Sequence, residues 1–126
     1  MKNAHYHKWE TSKQENNGDK PVTPGKKLYD LQDTIKLLGQ ENLDAIDVFK
    51  IDCEGCEWES FDSWLDPSMP DLMQILVEVH YPPIELATVF FDRLQAAGYA
   101  RFHKEFNIFA HAGLTEYAFL RPFSSE

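Results

Sequence analysis

No apolar run in the 126-residue sequence approaches the roughly 20 residues needed to cross a bilayer. The first ten residues, Met-Lys-Asn-Ala-His-Tyr-His-Lys-Trp-Glu, carry no apolar signal-peptide core, so a cytoplasmic location is the default expectation. Basic residues are scarce, with 12 Lys and Arg against 21 Asp and Glu, a formal net charge of −9. Neutralising phosphates takes clustered Lys and Arg, so a nucleic-acid partner is not expected. Cysteine is scarcer still. The two present, Cys53 and Cys56, form a C-x-x-C, a spacing that serves a redox pair or half of a zinc site. The five histidines include no H-x₃₋₅-H to complete such a site, and there is no second C-x-x-C. The acidic neighbours Asp52, Glu54 and Glu57 would raise the thiol pKa values and oppose thiolate formation. The plain alternative is two small, half-buried residues in a tight turn. Internal repeats are also absent.

What is present is the composition of a globular domain: 43% hydrophobic, 13% aromatic and 26% charged. The chain is organised around residues 46–58. The apolar residues Ile46, Val48, Phe49 and Ile51 end in Asp52, Glu54 and Glu57, with Gly55 among them. This predicts a buried strand that delivers carboxylates at its carboxyl end and is followed by a helix. Ligands of open α/β sheets bind along that edge.

Residues 1–27 are polar, hold Asn16-Asn17-Gly18-Asp19, Pro21 and Pro24, and predict a loop or disordered arm. His5 and His7 in it could bind a metal, but an exposed, mobile arm is the better explanation of them. Residues 30–38 predict a helix capped by Asp30, with Leu31, Ile35 and Leu38 on one face and Gly39 as its stop. After the central strand, residues 56–65 predict a helix burying Trp58, Phe61 and Leu65, closed by Pro67 and Pro70. Gln74–His80 predicts a second strand covered on both faces, ending in Glu78 and His80. Residues 84–97 predict a helix with Leu86, Phe90 and Leu94 on its stripe. Tyr99–Lys104 and Glu116–Arg121 predict a closing hairpin with an elaborated loop containing Gly113. Alternating elements predict an α/β fold, a parallel sheet flanked by helices with a C-terminal antiparallel hairpin.

Lys50-Ile51-Asp52-Cys53-Glu54-Gly55-Cys56-Glu57, with Val77-Glu78-Val79-His80 and then Ala97-Gly98-Tyr99 in order, resembles the C-terminal half of class I S-adenosylmethionine-dependent methyltransferases of the FkbM-like group. The resemblance runs over about residues 28–121. It implies a partial Rossmann-like methyltransferase fold over residues 28–122, with the last strand inserted antiparallel between the two before it. It implies S-adenosylmethionine as cofactor and a small-molecule or carbohydrate acceptor, with O-methyl transfer as the reaction. The family's Gly-rich turn after an early strand has no counterpart here: residues 1–25 contain only Gly18 and Gly25, with no buried strand before either. The expectation is therefore an acceptor-side half of a site, with the N-terminal half missing and an open sheet edge left for self-association.

Methyl transfer to a hydroxyl is an in-line displacement that needs the acceptor aligned and its proton removed. Asp52, Glu54, Glu78 and His80 at the ends of adjacent strands are the predicted catalytic residues. The same oxygens could hold a divalent metal, but no metal site is assigned. Each residue also has a structural reading. Asp52 or Glu54 can cap the next helix, Glu57 can be a first-turn charge, Glu78 can pair with Lys50, and His80 can be a satisfied core histidine. Trp58 fits the core, and Gly55 fits a tight strand-to-helix turn. Two further functions stay open: a non-catalytic half-domain that pairs through its sheet edge, and a C-x-x-C redox or zinc module.

Overall fold

The computed structural model describes residues 30–53, 55–81, 83–109 and 114–122. The expected arm at 1–27, with His5 and His7, lies outside them, as do Glu54 and Gly113. Helix α1 spans Leu31–Leu37, and Asp30 caps it by accepting the Asp33 N–H at 2.7 Å. Leu31 and Ile35 are buried, and Gly39 stops the helix with φ +64°.

The central stretch forms two short strands rather than one. β1 (Ala45–Ile46) pairs with β3 (Asp71–Leu72), and β2 (Phe49–Ile51) pairs with β4 (Gln74–His80), both in parallel. The Met73 N–H donates to Ile46 O at 2.9 Å between the two pairings, so the same two segments run side by side through the break. Val48, expected to be buried, is 51% exposed. Phe49 and Ile51 turn to the core while Val48 and Lys50 take the opposite face, which is uncovered at this edge strand. β4 shows the same alternation. Ile75, Val77 and Val79 are buried, whereas Gln74, Leu76 and Glu78 are half-buried, so full cover on both faces is not found.

Helix α2 spans Glu57–Trp64 and buries Glu57, Phe61 and Trp64; Trp58 and Leu65 pack against the core partly buried. Asp66 holds the following turn. The Ser68 hydroxyl and backbone N–H hold its carboxyl below the ordinary carboxylate pKa. Helix α3 spans Ile84–Ala96 and buries Phe90 and Leu94. Leu86 does not join them: in the first turn of α3, Leu86 is 39% and Ile84 81% exposed. An Arg93–Asp62 ion pair ties α3 to α2.

Strands β5 (Ala100–Phe106) and β6 (Leu114–Leu120) complete a sheet of order β2-β4-β6-β5. β6 lies antiparallel between β4 and β5, the arrangement the resemblance implies. β5 is exposed along its length. It defends that edge with Arg101, His103, Lys104 and Glu105 and with a register shift between Arg101 and His103.

All three helices share one core with the sheet. Phe90 is its hub, with the rings of Phe91, Phe61, Trp58, Phe119 and Trp64 at 5.2, 5.3, 5.6, 6.0 and 6.1 Å, all edge-on. The Tyr99 hydroxyl donates to Leu72 O at 2.6 Å, and burial raises its phenol pKa. The fold is thus α/β, with parallel strands, flanking helices and a C-terminal antiparallel hairpin. Among the described residues, no helix is long and apolar enough to cross a membrane.

Candidate functional site

The parallel register of β2 and β4 creates the site. Ile51 lies opposite Val77, so the chain leaving β2 brings Asp52 level with Glu78. By the alternation of a strand, Glu78 and His80 share one face of β4. Asp52 Oδ1 and Glu78 Oε1 lie 3.7 and 4.0 Å from His80 Nε2. Three of the four predicted residues therefore converge; the fourth, Glu54, lies outside the described residues.

The part that sequence reasoning missed is beneath them. Glu57, read as a first-turn charge, is wholly buried. Its Oε1 accepts the His80 backbone N–H at 2.6 Å and meets His80 Nδ1 at 3.1 Å. Its Oε2 accepts the Gly55 N–H at 3.0 Å, so this carboxylate, not Asp52, satisfies the backbone ahead of α2. A carboxylate can only accept, so a neutral His80 bonded to it carries its hydrogen on Nδ1 and keeps a lone pair on Nε2. The signal was available in the sequence: Glu57, Phe61 and Trp64 follow i, i+4 and i+7 and share the buried face.

Trp58 adds a second restraint, its Nε1–H donating to His80 O at 2.8 Å. Glu78 does not pair with Lys50. Lys50 is exposed opposite Leu76, and Glu78 instead accepts Asn107 Nδ2–H at 3.2 Å. Asn107 carries no motif and was invisible to sequence reasoning. It ties the turn bearing exposed Ile108 and Phe109 to the site. Gly55 takes φ +108°, a conformation that side chains oppose, and a Cβ there would meet only open space. Tyr81, immediately after His80, is held at φ +39°, strained for a residue with a side chain.

The ligand atoms of Asp52, Glu78 and His80 lie within 4.8 Å of one another, a set of two carboxylates and an imidazole that can hold a divalent cation. Cys53, Cys56 and Glu57 are similarly close, but the two cysteines are joined in a disulfide and offer no thiolate to zinc in that state. For S-adenosylmethionine the fit is incomplete. The described residues supply carboxylates and a base where an acceptor would lie. Among them, no strand leads into a Gly-rich turn that could cradle a nucleoside.

A family model described as a methyltransferase domain matches residues 1–121. No curated protein and no solved structure matches the chain significantly. The match spans nearly the whole chain and is consistent with its α/β fold, so the chain belongs to this methyltransferase-domain family.

Proposed function

We propose that the strand ends form the acceptor side of an O-methyl-transfer site of the FkbM-like kind, taking a small-molecule or carbohydrate hydroxyl and using S-adenosylmethionine as methyl donor. The observation that carries this reading is the buried Glu57–His80 pair, with His80 Nε2 directed at Asp52 and Glu78. Glu57 fixes the ring and its tautomer. His80 Nε2 takes the proton of the acceptor hydroxyl as it becomes a nucleophile, and the resulting imidazolium is stabilised by the Glu57 carboxylate below and by Asp52 and Glu78 beside it. Asp52 is exposed and accepts hydrogen bonds from neighbouring acceptor hydroxyls. Glu78, braced by Asn107, limits where the acceptor can sit. Exposed Ile108, Phe109 and Tyr81 on the adjoining turns offer apolar rims to the acceptor.

The test is transfer of labelled methyl from S-adenosylmethionine to a panel of hydroxyl acceptors, run beside calorimetric titration of the cofactor. His80→Asn retains a donor towards Glu57 while removing the base. It is expected to lower kcat about 100-fold or more with little change in KM. A correctly folded protein, verified by circular dichroism, that neither binds the cofactor nor transfers methyl ends the proposal.

A second reading follows from β2, which pairs only with β4 among the described residues and leaves Val48 exposed beside it. Its outer edge would pair two copies of the chain. Light scattering during size-exclusion chromatography is expected to report a dimer, and a monomer across a range of concentrations removes the reading.

A further inference from the structure

The methyl-transfer reading leaves the C-x-x-C without a task. Cys53 and Cys56 are disulfide-bonded across a Cα–Cα distance of 5.4 Å, and the bridge joins the end of β2 to the N-cap of α2. The two sulfurs are not equivalent. Cys53 is half-buried, whereas Cys56 is only 5% exposed and stands at the helix N-terminus. Cys53 Sγ also lies 3.4 Å from Glu57 Oε2. A disulfide sulfur has no hydrogen to give, so that contact becomes a hydrogen bond only when the bridge is opened.

We propose that Cys53 and Cys56 form a reversible thiol–disulfide exchange site for low-molecular-weight thiols of the glutathione class, attacked at Cys53 and answered by Glu57. In the reducing direction, a small thiolate attacks Cys53 Sγ, the more accessible sulfur. The bridge breaks, and its electron pair leaves on Cys56, which stands at the N-terminal end of α2. A second small thiolate attacks the small-thiol sulfur of the mixed disulfide and releases Cys53. The two small thiols end as one disulfide, and their two protons end on Cys53 and Cys56. The Cys53 thiol then donates to Glu57 Oε2, giving the buried carboxylate a donor beyond the Gly55 N–H and His80. Opening the bridge also frees the link immediately after Asp52. Any effect on methyl transfer rests on the reading above; the exchange itself does not.

The experiment equilibrates the purified chain in buffers of varied reduced-to-oxidised glutathione ratio, quenches with acid, and labels free thiols with a maleimide polymer for gel analysis. A single transition from no label to two labels is expected, with no adduct by intact mass at either end. Cys56→Ser should collect one glutathione from oxidised glutathione in the folded state, and Cys53→Ser should collect none. Glu57→Gln removes the charge that strengthens the thiol hydrogen bond. Its midpoint should move roughly three- to tenfold toward reduced glutathione, since charge-assisted bonds are about twice as strong as neutral ones. A bridge that stays closed at every ratio overturns the proposal. So does equal adduct formation on the two serine variants. Should those variants fail to fold, peptide mapping of the mixed disulfide trapped on the unaltered chain decides: an adduct on Cys56 overturns the proposal. No methylation is read at any point, so failure here is distinct from failure of the methyl-transfer reading.

Discussion

Glu57 Oε1 receives two hydrogens from one residue, the backbone N–H of His80 at 2.6 Å and, in the neutral tautomer it imposes, His80 Nδ1–H at 3.1 Å. One buried atom thus fixes both the end of β4 and the ring that faces Asp52 and Glu78. Glu57→Ala would take this acceptor from the buried His80 N–H and the part-buried Gly55 N–H and open a space behind the ring. Each donor left unsatisfied in the interior costs about 1–3 kcal/mol. Urea unfolding is expected to show a loss of that order. Glu57→Gln, which keeps an acceptor oxygen, should lose about 1–3 kcal/mol. Equal stability of both variants with the unaltered chain would mean that Glu57 does not hold this strand end.

Phe90 meets five other rings edge-on and has no exposed surface. Truncating it removes the aromatic hub shared by α3, α2 and β6, while Arg93–Asp62 and the contacts of Phe91 with Tyr117 and Phe119 remain. Phe90→Ala is expected to cost about 3–5 kcal/mol by denaturant titration. Leu86→Ala, in the exposed first turn of the same helix, should cost far less, under about 1 kcal/mol. Comparable losses at the two positions would contradict the packing described.

The elements were legible where a period ran long enough to mark them. Ile35, Phe90 and Leu94 lie where helical spacing places them, Asp30 caps α1 as its residue type suggests, and the apolar run Gln74–His80 is a strand, though covered on one face rather than both. The break between β1 and β2 was not legible, because a continuous apolar run does not say which residues find ladder partners. β3 escaped notice for a related reason: two residues beside Met73 carry no period. At the site, Asp52, Glu78 and His80 were marked by position at strand ends. Glu57 carried its signal in helical spacing with Phe61, but a charge in a first turn reads more readily as a response to the helix dipole. Asn107 meets Glu78 only through the hairpin fold, so nothing near it in sequence announces the contact.

Gly55 has φ +108° and free space where a Cβ would stand. The cost of a side chain there is conformational rather than steric. Gly55→Ala is expected to destabilise by about 1–2 kcal/mol, the usual cost of forcing an L-residue to positive φ. Because the Gly55 N–H also feeds Glu57 Oε2, the substitution should loosen His80 as well, seen as faster amide exchange at the end of β4. Amide exchange unchanged at His80 would show that the turn and the strand end are uncoupled.

Tyr99 links stability to alkaline pH. Burial raises its phenol pKa most, Asp71 adds to the rise, and Arg121 opposes it. The folded chain therefore holds the protonated phenol more tightly than the unfolded chain does. That contribution is fully present below the ordinary phenol pKa of about 10 and is lost as pH rises through the higher folded value. Stability should fall with increasing pH above about 10, because the unfolded chain releases the proton first. Tyr99→Phe removes this ionisation and also leaves Leu72 O without its donor, a loss of about 1 kcal/mol at neutral pH. Urea unfolding at a series of alkaline pH values should show a shallower decline for the variant. The same alkaline slope in both proteins would place the sensitivity elsewhere, among groups the substitution leaves intact.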